Sequence, residues 1–87
     1  MSLQDWLGKG WLVEHRPSPA EIGDLLGLVD RDLRDSQVPG LTADWRLNIA
    51  YNAAIQAATA ALAASGYRAT RQAHHMRVIP SLEFTVG

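Results

Sequence analysis

The chain has no cysteine, which excludes disulfides and thiolate metal sites as staples of the fold. Its three histidines, His15, His74 and His75, have no partners at zinc-ligand spacing, so neither a metal nor a cofactor is expected. Aromatic residues are scarce, and charge of neither sign dominates. With a net charge of −1, the chain as a whole is no electrostatic trap for nucleic acid. Long apolar runs are missing too. The richest, Ala57 to Ala64, is interrupted by Thr59 and falls far short of the ~20 residues that cross a bilayer. The amino terminus lacks the basic start and unbroken apolar core of a secretory signal, so a cytoplasmic protein away from membranes is expected. No spacing supports a glycine-rich phosphate loop, a nucleophile elbow or a Ser-His-Asp arrangement.

Size adds a further constraint. A chain of 87 residues is one domain at most, and at that length only a little over roughly 60% of the unfolded surface is buried on folding. The apolar fraction is 47%, but much of it is alanine, which buries little area per residue. A second subunit or partner is expected to supply the missing burial.

The charges that are present are unevenly placed. Residues 21–35 hold Glu21, Asp24, Asp30, Asp32 and Asp35 against Arg31 and Arg34, whereas residues 68–77 hold Arg68, Arg71, His74, His75 and Arg77 with no acid. The basic segment fits either a phosphate or, more simply, the acidic helix of the same molecule.

Three capped segments organise the chain. Ser2 caps a short N-terminal turn with Asp5 near its positive end, and Trp6 and Trp11 read as anchors on the bundle rather than base-stacking platforms. Pro17-Ser18-Pro19 opens the first long helix, with Ser18 as N-cap, Pro19 in the first turn and Glu21 closing a capping box. That helix is predicted from about Pro19 to Ser36, with Ile22, Leu25, Leu26, Val29 and Leu33 as its buried stripe. Pro39-Gly40 breaks it and makes the next helix an antiparallel neighbour.

The second long helix is predicted from about Ala43 to Ser65, roughly 35 Å at 1.5 Å per residue. Trp45, Ile49, Ala53 and Ala57 form one apolar line, and Ile55, Ala58 and Leu62 another, so it should touch more than one neighbour. Gly66 is the expected C-cap residue. A third helix is expected from Thr70 or Arg71, burying His75, Val78, Ile79, Leu82 and Val86. Pro80 should kink it or split it in two. The architecture expected is all-α: an up-and-down bundle of three main helices over residues 18–87, after an N-terminal segment, residues 1–17, with a short helix.

Residues 20–86 resemble the first helices of a HEPN domain, a helical up-and-down bundle. The likeness rests on the capped first helix, the helix ADWRLNIAYNAAIQAATAALAASGYR and the segment HHMRVIPSL after the glycine. HEPN proteins commonly keep an alanine- and leucine-rich second helix, a Gly-Tyr turn and a histidine opening the next helix. The resemblance implies a role in RNA metabolism or in toxin–antitoxin and defence modules. It also implies a nucleotidyltransferase-like partner and homodimerisation. Many such domains are metal-independent ribonucleases whose signature is an Arg followed four to six residues later by a His, with a polar residue after the Arg, usually on the last helix. There the imidazole moves protons and the guanidinium steadies phosphate charge.

This sequence departs from that pattern. Arg68 to His74 has the nominal spacing, but Ala69 follows the arginine and the stretch begins at the turn after the second long helix. The expectation is a non-catalytic or truncated relative, or a portion of a longer product, acting as an interaction module. A ribonuclease using Arg68, Arg71 and His74, with RNA or a nucleotide as ligand, is the alternative. A purely structural oligomerisation protein is the third reading.

Other candidates have plainer explanations. Asn48, Tyr51 and Asn52 form a polar face that could line a binding pocket, although such residues more often bond a neighbouring helix or fix dimer register. His74 and His75 point about 100° apart on a helix and cannot share an ion. Asp30, Asp32 and Asp35 read as a solvated face paired with Arg31 and Arg34.

Overall fold

Each of the first three helices starts where a hydroxyl can cap it. The computed structural model describes residues 2–70 and 77–86. Ser2 Oγ accepts from the Asp5 amide at the head of α1, Leu3–Gly8. Ser18 Oγ accepts from the Glu21 amide at the head of α2, Pro19–Asp35, with Pro19 in the first turn. Thr42 Oγ1 accepts from the Trp45 amide at the head of α3, Ala43–Ala64. These bonds satisfy amides that have no partner inside the helix. A short α4, Leu82–Thr85, follows Pro80.

The fold is mostly helical, with four helices and a small two-stranded sheet among the described residues. The sequence reading contained no strand. β1, Leu12–Glu14, pairs antiparallel with β2, Tyr67–Ala69, in the register Leu12↔Ala69, Val13↔Arg68 and Glu14↔Tyr67. His15 N–H donating to the Gly66 carbonyl (2.9 Å) and Thr70 N–H donating to that of Trp11 (3.0 Å) extend the ladder at both ends. Each strand leaves a glycine-ended helix-and-turn unit: Gly10 (φ 77°) precedes β1 and Gly66 (φ 94°) precedes β2. Both occupy the left-handed region that a side chain disfavours. Three residues per strand give little periodicity to read from sequence.

α3 is the middle of the molecule. On one flank it packs against α2, where Gln56 Nε2 donates to Asp32 Oδ2 at 2.9 Å. On the opposite flank Ile55, Ala58 and Leu62 join Trp6, Leu12 and Val78 in the main core, with Leu3, Trp11, Tyr67, Ala69, Ile79, Leu82 and Phe84 around them. Trp6 meets Trp11 and Phe84 edge-on, with ring centroids 5.6 and 5.2 Å apart, a geometry that aromatic quadrupoles favour. Ala53, Ala60 and Ala63 are also buried, so alanine lets backbones approach closely along the helix.

The expected stripe on α2 needs correction. Asp32 and Ser36 are buried, while Leu26 (52% exposed) and Leu33 (49%) are not. The line facing α3 is therefore Ile22, Leu25, Val29, Asp32 and Ser36, at helical spacing. Ile22, Leu25 and Val29 keep their places, while Leu26 and Leu33 give way to Asp32 and Ser36. Asp32 enters because its carboxylate is satisfied on both oxygens, by Gln56 and by Arg31 at 3.2 and 3.1 Å. A buried carboxylate is tolerated when it is paired and hydrogen-bonded.

Around Pro80 the described chain is not continuous helix: residues 78–81 turn and α4 begins at Leu82. Val78 is buried and Ile79 and Leu82 partly so, but Val86 is exposed and does not belong to the expected buried face. His75 and the expected start of that helix lie outside the described residues.

Opposite the core end, α3 outruns its neighbour. Setting Asp32 beside Gln56 carries the end of α2 only about as far as Tyr51 or Asn52. The first turns of α3, about 12 Å at 1.5 Å per residue, extend past it. From Thr42 to Asn52 every residue but Ile49 is exposed. The radius of gyration, 13.9 Å, exceeds the about 12 Å of a compact chain this long.

Candidate functional site

Among the described residues the basic, acidic and polar candidates do not converge. Asn48, Tyr51 and Asn52 are all exposed on the overhanging part of α3, with Asn48 and Asn52 continuing the line of Gln56 beyond the reach of α2. No side-chain hydrogen bond joins them to another element among the described residues. Arg68 is exposed on β2, opposite Val13. Arg71 and His74, which complete the ribonuclease alternative, lie outside the described residues.

On α2, Arg34 pairs with Asp30 at 2.7 Å and Arg31 with Asp32 at 3.1 Å, so two of the expected ion pairs form. The solvated reading fails for Asp32, which faces α3, as its bond to Gln56 shows. Trp6 and Trp11 serve as anchors. Trp6 is buried, and Trp11 carries the Arg77 guanidinium 3.5 Å and the Lys9 ammonium 4.7 Å from its ring centroid. Cations held this way add modestly to packing.

One cluster of chemistry-bearing side chains does form, and the sequence reading missed it. His15 Nε2 lies 2.7 Å from Glu21 Oε2, with both side chains partly buried. Glu21 was expected to close a capping box by reaching back to Ser18. Only half of that box is present: the Ser18 hydroxyl accepts from the Glu21 amide at 3.1 Å, and the carboxylate turns to the histidine instead. The local cause is Pro17-Ser18-Pro19, which folds the chain so that residues six apart meet. Sheet pairing fixes the other side, because the His15 amide is tied to Gly66. A histidine just before a Pro-capped helix with an acid in its first turn was the available signal.

Between this pair and the sheet lies a hollow of about 270 Å³, lined by His15, Glu21, Leu25, Thr59, Ala63 and Arg68. Thr59 Oγ1 donates to the Ile55 carbonyl at 2.7 Å, so its lone pairs remain as acceptors. A second hollow of about 300 Å³, at the other side of β2, is lined by Ser2, Leu3, Gln4, Tyr67 and Phe84 and carries no ionisable group except the phenol. Among the described residues no three His, Asp or Glu side chains come together as a metal site, and no helix is long and apolar enough to cross a membrane.

Comparison with family models, with curated proteins and with solved structures gives no match for this chain.

Proposed function

We propose that the chain is a HEPN-type helical interaction module, without catalysis of its own, that homodimerises and works in an RNA-related or toxin–antitoxin setting, with a nucleotidyltransferase-like protein as a further partner. The HEPN reading is supported by sequence likeness: the capped first helix, the unbroken α3 from Ala43 to Ala64 and the Gly66-Tyr67 turn. Its bundle character extends to an up-and-down arrangement of α2, α3 and the segment carrying Val78.

The observation that carries the interaction role is the incomplete covering of α3. Ala53, Gln56, Ala60 and Ala63 turn to α2, and Ile55, Ala58 and Leu62 turn to the core. That leaves Ala50, Ala54, Ala57 and Ala61, at i, i+4, i+7 and i+11, as a third lane. Ala50 is exposed and the other three only partly buried. A lane of alanines admits a partner helix at close range, and the exposed Leu26, Leu33 and Leu47 supply apolar area around it.

Size-exclusion chromatography with light scattering tests the reading. A dimer at micromolar concentration is expected, and Ala57→Arg should return it to monomer without loss of helical content. A clean monomer of the unaltered chain would refute it.

One observation favours a second reading, a metal-independent ribonuclease using Arg68, Arg71 and His74: the Arg68 side chain is exposed at the rim of a hollow. Incubation with single-stranded and structured RNA in EDTA decides. Cleavage lost in His74→Ala supports the enzyme, and an inert wild type removes it.

A further inference from the structure

The hollow at the junction of β1, β2, the start of α2 and the end of α3 combines three features that the interaction role does not use. Its floor is apolar, made by Leu25 and Ala63. Its rim holds a permanent cation, Arg68, whose guanidinium has no carboxylate within ion-pair distance among the described residues. Its wall holds an imidazole whose orientation is set by the 2.7 Å contact with Glu21. We propose that this hollow is a binding site for a small organic oxyanion, a carboxylate or phosphate monoester carried on a single apolar ring or short chain.

Arg68 holds the oxyanion. Its guanidinium presents a planar fork of donors that matches either group. Glu21, the one acid in the lining, has Oε2 turned to His15 Nε2 at 2.7 Å, so the oxyanion sits on the Arg68 side of the hollow, away from that carboxylate. The same contact leaves Nδ1 as the ring's other hydrogen-bonding atom, and Thr59 Oγ1 offers an acceptor to any hydroxyl beside the anion. The apolar body rests on Leu25 and Ala63. At about 270 Å³ the hollow falls just under the roughly 300–1,000 Å³ of drug-sized sites, so one ring fits and a dinucleotide does not. Only a ligand that is charged at one end and apolar at the other uses both parts of the lining.

The site is independent of dimer formation, since none of its residues belongs to the alanine lane. Amide chemical-shift titration of the full 87-residue chain tests it with four probes: benzoate, phenyl phosphate, benzyl alcohol and inorganic phosphate. Benzoate or phenyl phosphate is expected to saturate and to move the amides of His15, Glu21, Leu25 and Arg68; the better of the two identifies the oxyanion. Benzyl alcohol and inorganic phosphate should each bind at least about tenfold more weakly, because each lacks one half of the recognition. Arg68→Gln should lose about tenfold or more in affinity, and Arg68→Lys less. Arg68 is exposed, so both variants should melt with the wild type, which circular dichroism checks. No saturable shift with either organic anion overturns the proposal. So does undiminished affinity in a folded Arg68→Gln, or inorganic phosphate binding as well as phenyl phosphate.

Discussion

The two ends of α3 share one apolar line and live in different surroundings. Toward its C-terminus, Ile55, Ala58 and Leu62 are covered by Trp6, Leu12 and Val78, and the sheet closes over them. Toward its N-terminus the same helical line continues through Tyr51 and Leu47, yet Tyr51 is 48% and Leu47 69% exposed. Trp45, one turn before Ile49 on the α2-facing line, is 62% exposed, because α2 has already ended. This apolar line thus runs the length of the helix and its covering does not. A wheel drawn from sequence shows which side of a helix is apolar; which length of it is covered depends on where the neighbours stop.

That contrast is broken most severely at the covered end. Leu62→Ala or Trp6→Ala should each destabilise the chain by about 2–5 kcal/mol, since each removes a buried side chain from a core that cannot fully collapse. A domain this small has only about 5–15 kcal/mol in total, so either variant should be largely unfolded in modest urea. Trp45→Ala, the same kind of truncation at the open end, should move the urea midpoint of the monomeric chain by no more than about 0.5 kcal/mol equivalent. Equal losses at Trp6 and Trp45 would erase the distinction between the two ends.

The boundary between the ends is the Asp32–Gln56 contact, and its expected effect is intermediate. Asp32→Ala leaves the Gln56 amide without its acceptor in a part-buried position and should cost about 1–3 kcal/mol. Replacing both together, Asp32→Leu with Gln56→Leu, should recover most of that, because two apolar partners strand no polar group. Chemical denaturation of Asp32→Leu, Gln56→Leu and the double variant yields the coupling. Additive losses would mean that the contact does not hold α2 in register.

The helices were legible because their signals are local. Ser18-Pro19, Thr42, Pro39-Gly40 and Gly66 fix starts and stops within a few residues, and α2 and α3 begin where those residues place them. The sheet was not, because its two strands are three residues each and separated by the whole helical hairpin. Leu12-Val13 and Tyr67-Arg68 become strands only by finding each other. The same non-local closure brings Arg68 to His15, so the hollow was invisible for the same reason. The shift of the α2 stripe onto Asp32 and Ser36 has a different origin. Pairing with Gln56 lets a carboxylate turn to α3 at position 32, while the neighbouring Leu33, which the apolar pattern favours, stays exposed.

The smallest expected effect tests the open end itself. Leu47→Gln with Tyr51→Ser removes apolar area that the monomer leaves largely open, so at high dilution the variant and wild-type chains should unfold within about 0.5 kcal/mol of each other. At high protein concentration the two should separate if a second copy covers this length of α3. Association that involves only the folded form raises apparent stability by mass action, so the wild-type melting temperature should climb with concentration and that of the variant should climb less. A concentration series of thermal melts on both chains reads this directly. Parallel climbs would place Leu47 and Tyr51 outside the dimer contact and leave the alanine lane at Ala54 and Ala57 to carry it. Flat lines for both would mean that the overhang stays bare in solution, and the interaction reading would lose its first partner.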